Sequence, residues 1–256
     1  MSERPGTHAA TVVRREQLSP HLVRIVLGGV ESFTSTGIAD EWVALVVPGQ
    51  FQSRYYTVRS WDGEELVLDV VVHEEGLVTR WAQTDCVGDV VSISDAKGSC
   101  AVPEDAEWVY LVGDLTAVPA MARIAEEGVG GRPVHIWAEA VHEVPGYFGA
   151  GAGVVTWLPR AQESALAAFV ETLEWPAGPG YFWMAGESAQ MRAIRHHVRR
   201  ELGWSADRHD LMGYWSSGRG RRARAVDPAP IYARGRAAGL TDEQIWAEYD
   251  EVRGRE

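Results

Sequence analysis

The chain has 256 residues, of which 46% are hydrophobic and 23% are charged, a balance typical of a folded soluble protein and too apolar for a disordered one. The 36 acidic and 24 basic residues give a formal net charge of −12, which argues against a general nucleic-acid binder. Residues 188–236, however, contain eleven Arg and four acidic residues, a local net charge of +7. We therefore expect an anionic ligand to meet that segment.

The cysteines and the distribution of apolar residues indicate the cellular compartment. Two cysteines, Cys86 and Cys100, cannot form a disulfide framework and match no zinc or iron–sulfur spacing. The first residues contain no apolar core of a signal peptide, and no run approaches the roughly 18 apolar residues of a membrane span. These features predict a reduced, cytoplasmic chain.

Residues 7–102 predict an antiparallel barrel or sandwich. Short segments rich in β-branched and aromatic residues alternate with glycine-containing turns, as in small all-β domains. The predicted strands are Val12-Val13, Leu22 to Leu27, Trp42 to Val47, Tyr55 to Val58, Leu66 to Val72 and Val90 to Ile93, with one short helix at Thr79 to Gln83.

Residues 103–215 change to alternating strands and helices, which predicts a doubly wound parallel sheet. The strands are predicted at Trp108 to Val112, Pro133 to Ala138, Val154 to Leu158, Tyr181 to Ala185 and Asp210 to Trp215. The helices are predicted at Ala117 to Glu127, at Ser164 to Leu173 and along the apolar stripe Met191, Ile194, Val198 and Leu202. Such sheets bind ligands beyond the carboxyl ends of their strands.

Residues 216–256 form a third region. Ser216 to Pro230 is rich in Gly, Ser, Arg and Pro and predicts a loop, and Thr241 to Arg253 predicts a final helix. The run Arg219, Arg221, Arg222 and Arg224 lies in that loop. It is either a solvated basic loop or a collar that attracts an anionic substrate.

The most informative segment is Arg54-Tyr55-Tyr56-Thr57-Val58-Arg59. Alternate residues of a strand face one side, so an Arg, an aromatic ring and a Thr can together hold a flat, anionic ligand. An exposed strand whose polar side chains are satisfied by water is the other interpretation, and the residues alone do not decide between the two.

An ordered set of motifs resembles the siderophore-interacting protein family of FAD-dependent ferric-siderophore reductases. The set begins with the Arg54 to Arg59 block and ends with Gly213-Tyr214-Trp215. Between them lie Asp69 to His73, Glu75 to Ala82, Gly113 to Ala120 and Ala185-Gly186-Glu187. The resemblance implies a fold similar to ferredoxin reductases, in which a flavin-binding barrel precedes a nicotinamide-type α/β domain.

The resemblance also implies residue roles. Arg54 would contact the FAD phosphates, Tyr56 and Thr57 would line the isoalloxazine, and Thr79 would meet the pyrophosphate at a helix N-terminus. The full implied cofactor set is Arg54, Tyr56, Thr57, Val58, Arg59, Asp69, Val71, His73, Thr79, Asp114, Thr116, Ala117 and Trp215. Lys97, the only lysine, and Arg219, Arg221 and Arg222 would attract the siderophore.

The sequence departs from the family pattern at two places. Gly76-Leu77-Val78-Thr79 keeps a hydroxyl but lacks the usual proline, and Leu115 replaces a usual glutamate. A lone histidine such as His73 is more often structural than catalytic, so here we expect at most a flavin contact. Adjacent His196 and His197 point in different directions along a helix and do not predict a metal site.

Nicotinamide binding is only weakly encoded. The segment Gly113 to Pro119 is not a Gly-x-Gly-x-x-Gly fingerprint. By resemblance, Gly113, Pro119, Gly186 and Glu187 would contact a nicotinamide nucleotide, and a ferredoxin-like protein is an alternative donor. The expected function is FAD-dependent reduction of a ferric siderophore; the alternatives are a flavin reductase of another system and a non-enzymatic siderophore binder.

Overall fold

A computed structural model of the chain describes residues 6–50, 52–73, 76–217, 228–240 and 244–245. The chain divides into two compact units, residues 1–216 and 217–256. In the part of the chain that the structure describes, no helix is long and apolar enough to cross a membrane.

The first half of the larger unit is a closed six-stranded barrel, which confirms the all-β prediction. Every neighbouring pair is antiparallel, in the closed order β1-β2-β5-β4-β3-β6. The strands are β1 (Thr7–Ser19), β2 (Leu22–Gly28), β3 (Trp42–Val46), β4 (Arg54–Trp61), β5 (Leu66–Val71) and β6 (Val90–Ser94). Helix α1 (Leu77–Gln83) follows β5.

Alternation of side chains explains how the barrel is filled. In β3, Val43 and Leu45 are fully buried, whereas Trp42 and Ala44 are half-buried on the outer face. Isoleucine, leucine and valine side chains from all six strands form one continuous core, which Val78 and Trp81 of α1 extend. Burial of this apolar surface is the main stabilising contribution.

The second half is a five-stranded parallel sheet in the order β11-β10-β7-β8-β9, as predicted. Its strands are β7 (Trp108–Asp114), β8 (Val134–Ala140), β9 (Val154–Pro159), β10 (Gly180–Glu187) and β11 (His209–Trp215). Helices α2 (Val118–Arg123), α3 (Leu166–Glu171) and α4 (Ser188–His196) connect them, and π-helical turns extend α2 to Gly128 and α4 to Glu201. Apolar cores lie on both faces of the sheet.

The barrel and the sheet share buried polar contacts. Arg123 of α2 is 4% exposed, and its Nη1 donates to Glu41 Oε1 at 2.8 Å and to the Val58 carbonyl at 2.9 Å. Burial raises the pKa of Glu41, but hydrogen bonds from Ser35, Thr36 and Arg123 outweigh it and leave the pKa below its ordinary value. Removal of either member of the Arg123–Glu41 pair would leave a buried charge without a counter-charge. The hydrogen bond from Arg123 to the Val58 carbonyl fixes β4 against α2.

Two sequence predictions differ from the structure. Strand β1 covers thirteen residues rather than two, because its first part pairs with β6 and its second part with β2. The loop predicted up to Pro230 is wrong at its end, since helix α5 (Pro228–Ala237) already begins at Pro228. Proline is tolerated in a first helical turn because the amide it lacks has no partner there. Of the predicted Thr241 to Arg253 helix, only Gln244 and Ile245 are described, and both are helical.

Candidate functional site

Strand β4 carries the predicted ligand-binding motif and presents it on two sides. Tyr56 packs against the barrel core, and burial raises the pKa of its hydroxyl well above the ordinary value. Thr57 faces the outer side, next to Trp42 across the ladder, and is only 6% exposed because the α/β domain covers it. Arg54 is half-buried at the start of the strand, where one Nη donates to the Ser53 carbonyl at 3.1 Å.

The start of α1 lies beside the end of β5. Gly76 adopts φ +135°, and a Cβ there would come within 3.2 Å of the His73 ring. Among the described residues, no side chain caps the helix, and its first turn contains no acidic residue, so its first amides can donate to another group. Thr79 is buried in this turn, Val71 is half-buried, and His73 is exposed. The arrangement suits a phosphate more than a cation.

The carboxyl ends of β7 and β10 meet around Asp114. Its Oδ1 accepts hydrogen bonds from the Thr116 amide at 2.9 Å and the Thr116 hydroxyl at 2.5 Å, and its Oδ2 accepts from Trp215 Nε1 at 2.6 Å. Asp114 is fully buried, which raises the pKa of its carboxyl. At Gly186, with φ +149°, a Cβ would lie 2.7 Å from Asp114 Oδ2.

The other predicted nucleotide contacts have local structural roles. Gly113 allows close packing of α2, because a Cβ there would lie 2.4 Å from that of Ala117. Pro119 stands in the first turn of α2. The Glu187 carboxylate caps α4 by accepting from the amides of Ala189 at 2.8 Å and Gln190 at 3.2 Å. These residues lie near the carboxyl ends of β7 and β10, where the ligand crevice of such sheets is found, and their role in nucleotide binding stays a prediction.

Trp215 extends over this crevice from the end of the edge strand β11. Its carbonyl accepts a hydrogen bond from the Ser188 hydroxyl at 2.7 Å, and the Arg160 guanidinium lies 5.2 Å from the centre of its indole ring. Sequence reasoning missed Arg160. The available signal was its position directly after β9, at the same carboxyl edge where ligands bind such sheets.

Tyr214 was also missed as a site residue. The β10–β11 ladder shifts register after Gly186, so Tyr214 is an extra, bulged residue that the ladder does not pair. Its buried hydroxyl lies beside Thr57 without a hydrogen bond of standard geometry to any described residue. A buried polar atom of this kind favours the presence of a ligand group nearby.

Arg59 and Asp69 are engaged in contacts that join the barrel to the α/β domain. A register shift in β4 re-aims Arg59, which forms a bidentate pair with Glu126 at 2.7 and 2.8 Å. Asp69 accepts two hydrogen bonds from Arg24, at 2.8 and 2.9 Å, and a third from the Tyr147 hydroxyl. The Tyr147 ring also lies below Arg59, 5.7 Å from Cζ. The predicted cofactor roles of both residues therefore stay predictions.

The predicted substrate residues are separate from this crevice or outside the described residues. Lys97 pairs through its backbone with Trp42, and its exposed side chain lines a cleft of about 270 Å³ with Tyr55 and Asp95. The prediction for Arg219, Arg221 and Arg222 falls outside the described residues.

Two further observations concern a second cleft and metal binding. A second cleft of about 410 Å³, lined by Trp108, Tyr110 and His135, opens at the amino ends of β7 and β8, opposite the carboxyl edge. Within the described ranges, no three His, Cys, Asp or Glu side chains gather into a possible metal centre.

Two family models match consecutive parts of the chain and together cover more than half of it. Residues 50–100 match the siderophore-interacting FAD-binding domain, and residues 106–218 match the siderophore-interacting protein domain. The chain belongs to the siderophore-interacting protein family. The ordered motifs from Arg54 to Trp215 thus identified the family correctly.

The curated relatives of this chain differ in how much of their own length the chain covers. The mycobactin import ATP-binding/permease protein IrtA of Mycobacterium tuberculosis is 27% identical over 239 residues, which are 87% of this chain but only 28% of that protein. The ferric vibriobactin reductase ViuB of Vibrio cholerae is 29% identical over 180 residues, 66% of each chain. The chain thus spans little more than a quarter of the IrtA protein it matches.

Solved structures agree with the observed fold. The siderophore-interacting protein SipS of Aeromonas hydrophila is 28% identical, with a TM-score of 0.68 over 83% of this chain and 99% of that one. A ferredoxin NADP⁺ reductase of Neisseria gonorrhoeae is 12% identical, with a TM-score of 0.62 over 83% and 100%. The second likeness shows the fold alone and confirms the expected ferredoxin-reductase-like architecture.

The residues of the barrel side fit FAD. Arg54 and the uncapped amides of α1 offer positive charge to a pyrophosphate, while Tyr56 and Thr57 offer an aromatic surface and a hydroxyl. The buried Tyr214 hydroxyl, which has no hydrogen bond of standard geometry among the described residues, lies next to Thr57 on the sheet side. The siderophore-interacting FAD-binding domain thus has a built cradle for its cofactor.

Proposed function

We propose that this protein reduces the iron of ferric siderophores, with FAD as its cofactor. The observation that carries the proposal is the joining of the Arg54–Thr57 strand and the uncapped start of α1 to the crevice of the α/β domain. FAD supplies the redox chemistry, because it takes up electron pairs and releases single electrons. The fold then needs no protein nucleophile.

The chain's own residues bind and orient. Arg54 and Thr79 would hold the phosphates of FAD, Tyr56 and Thr57 would orient its ring system, and His73 and Val71 would contact it. Arg123 keeps β4 in register with α2, so that the two halves of the site keep one geometry. Lys97, Arg219, Arg221 and Arg222 attract an anionic ferric chelate without ligating the iron.

Reduction releases the metal because hard oxygen ligands hold Fe(III) far more tightly than Fe(II). NAD(P)H or a protein carrier supplies the electrons. The unpaired thiols of Cys86 and Cys100 agree with action in the reducing cytoplasm.

Reconstitution with FAD under anaerobic conditions tests the proposal. The protein is reduced with dithionite, separated from excess reductant and mixed with ferric chelates of catecholate and hydroxamate type, and Fe(II) is trapped with a colorimetric chelator. We expect stoichiometric Fe(II) release and recovery of the oxidised flavin spectrum. A protein that takes up no FAD, or whose reduced form leaves Fe(III) chelates intact, would exclude the reductase.

A further inference from the structure

A cleft of about 410 Å³ lies at the edge of the sheet opposite to the proposed redox site. Its lining comes from the amino ends of β7, β8 and β9 and from the segment before β10, and includes Glu107, Trp108, Tyr110, His135 and Ala177. We call it the amino-edge cleft. Its volume lies in the range of small-molecule sites, and most of its lining is apolar or aromatic. The proposed reduction makes no use of it.

The aromatic wall of the cleft belongs to a larger cluster of rings. The centroid of the Trp108 ring lies 4.9 Å from that of Tyr110 and 5.9 Å from that of Trp204. The Tyr110 ring in turn lies 5.6 Å from Trp175 and 5.9 Å from His135. Contacts between so many rings restrict the orientation of each one, so the wall is preformed.

The position of Trp108 breaks two local rules. A Cβ at Gly180 would lie 2.0 Å from the Trp108 ring, so β10 has room for the indole only because it lacks a side chain there. Trp108 is 5% exposed, and its Nε1 has no hydrogen bond of standard geometry to any described residue. A buried indole usually finds an acceptor. Positions that break such rules are typical of functional sites.

Two carboxylates stand beside the rings. Glu107 lines the cleft, and a Cβ at Gly178 would lie 2.4 Å from its Oε2, so the carboxylate lies against the chain that leads into β10. Glu174 is close to the Tyr110 hydroxyl: burial raises the pKa of Tyr110, and the negative charge of Glu174 raises it further. Both carboxylates are exposed, and neither forms an ion pair within the part of the chain that the structure describes.

The described residues that line the cleft carry no counter-charge. Only His135 among them can be cationic, and burial lowers its pKa, so the ring is neutral at pH 7. Arg132, which precedes the lining residue Pro133, donates to the carbonyls of Ala106 at 2.7 Å and Glu104 at 2.8 Å. Helices α2, α3 and α4 run from the carboxyl edge to the amino edge, so the negative ends of their dipoles point towards the edge that holds the cleft.

Rings and carboxylates without a cation favour a small organic cation as the ligand. Glu107 and Glu174 would repel an anion, and a neutral apolar molecule would gain nothing from them. An ammonium group gains from both features, because it pairs with the carboxylates and is attracted to the faces of the rings. A metal ion is disfavoured, because the described residues contain no group of three His, Cys, Asp or Glu side chains that could hold one.

We propose that the amino-edge cleft binds a small alkylammonium ion. Its ammonium group is held by the two carboxylates and the ring of Tyr110, and its hydrocarbon chain lies along Trp108. The site goes beyond the proposed reduction and is independent of it, since the cleft and the carboxyl-edge crevice lie at opposite edges of the sheet.

Three probes with one hydrocarbon chain and different head groups test the charge: n-hexylammonium, n-hexanol and n-hexanoate. Each is titrated at low salt into the full FAD-loaded chain, and the Kd is taken from the shift of the Trp108 indole N–H resonance, which is assigned by its loss in Trp108→Phe. We expect n-hexylammonium to bind about tenfold more tightly than the other two, because ion pairing and the ring face act on it alone. Equal binding of n-hexanol, tighter binding of n-hexanoate or no saturable shift with n-hexylammonium would overturn the proposal.

Isosteric variants test the carboxylates. In Glu107→Gln/Glu174→Gln the Kd for n-hexylammonium should rise about tenfold, whereas that for n-hexanol should stay within about twofold. The matched control Glu31→Gln/Glu64→Gln removes two exposed carboxylates from loops of the barrel and should change neither Kd by more than about twofold. Equal losses in the two variants would mean that only net charge matters and would overturn the site.

Tyr110→Leu tests the ring, with the ratio of the two Kd values as the measurement. We expect the preference for n-hexylammonium over n-hexanol to fall about fivefold, since a leucine offers apolar contact but no ring face. Equal weakening of both probes would mean that Tyr110 only supports the wall and would contradict its place at the ammonium group.

A lysine side chain of a peptide is the other source of an alkylammonium group. Nα-acetyl-lysine methylamide serves as its probe, and we expect it to bind more weakly than n-hexylammonium, because its peptide groups would meet the apolar wall. Tighter binding of the lysine derivative would assign the cleft to a protein partner and overturn the proposal of a free ion.

Discussion

The barrel side and the sheet side of the site differ in how their polar groups are engaged. On the barrel side, no side chain in the described part of the chain caps the first amides of α1. On the sheet side, both oxygens of Asp114 already accept hydrogen bonds, and the Glu187 carboxylate caps α4. The barrel side is thus ready for an anionic cofactor, whereas a dinucleotide entering the crevice would have to compete with Trp215 for Asp114.

The largest expected difference between the barrel side and the sheet side is in FAD affinity, measured in variants of Arg54 and Arg160. Replacement of Arg54 by Ala should weaken FAD binding about 10- to 100-fold, because a charge-assisted contact to phosphate contributes about 1.5–3 kcal/mol. Replacement of Arg160 by Ala removes a cation of similar burial at the sheet side and should leave FAD affinity within about threefold. Both values come from titration of the apoprotein with FAD, followed by flavin fluorescence. Equal loss in the two variants would place the phosphates between the sides and contradict this division.

Sequence patterns predicted local structure well and side-chain direction poorly. The alternation in Trp42 to Val47 and the spacing of Met191, Ile194 and Val198 were enough for β3 and α4, since each depends on a period within one element. Motif order was enough for the family and for the carboxyl-edge crevice.

Non-local contacts account for what the sequence did not predict. Arg59 and Tyr214 stand at register shifts, where a bulge re-aims the side chain in a way that no local pattern indicates. Asp69 is held by Arg24 and Tyr147, which lie 45 residues before it and 78 residues after it in the chain. Arg24 faces Asp69 across the β2–β5 ladder, and Tyr147 comes from the α/β domain, so one partner is set by strand pairing and the other by packing of the barrel against that domain.

The tight packing of the sheet side predicts a loss of stability from one added methyl group. In Gly186→Ala the Cβ would lie 2.7 Å from Asp114 Oδ2 on a backbone with φ +149°, so we expect a loss of about 1–3 kcal/mol. Gly151→Ala is the control, because Gly151 has no positive φ and no atom within 4 Å of the added carbon. Urea unfolding of both variants measures the difference. A Gly186→Ala protein as stable as the control would show that the crevice can relax, which would weaken the contrast with the barrel side.

The smallest expected effect concerns pH and the contact that joins the two sides. Ser99 Oγ lies 3.0 Å from Asp40 Oδ2 in the barrel and 2.5 Å from Asp210 Oδ2 in β11. One hydroxyl proton cannot serve two carboxylates. Asp40 also accepts hydrogen bonds from the amides of Ser99 and Cys100, at 2.8 and 2.9 Å. Burial raises the pKa of Asp210, the hydrogen bond with Ser99 lowers it, and the nearby Asp40 raises it again, so that the net shift is upward.

A carboxyl whose pKa is raised in the folded state makes the protein less stable as the pH rises. The stabilisation from protonated Asp210 is fully present below its unfolded pKa of about 4 and is lost as the pH rises through the higher folded value. Asp210→Asn should remove this loss and flatten the curve of Tm against pH above about 4. Asp105→Asn is the opposite-sign control: Arg208 lowers the pKa of exposed Asp105, so that carboxylate contributes stability that is lost as the pH falls. Thermal unfolding of the three proteins from pH 3 to 8 distinguishes them, and parallel curves for wild type and Asp210→Asn would mean that folding does not raise the pKa of Asp210.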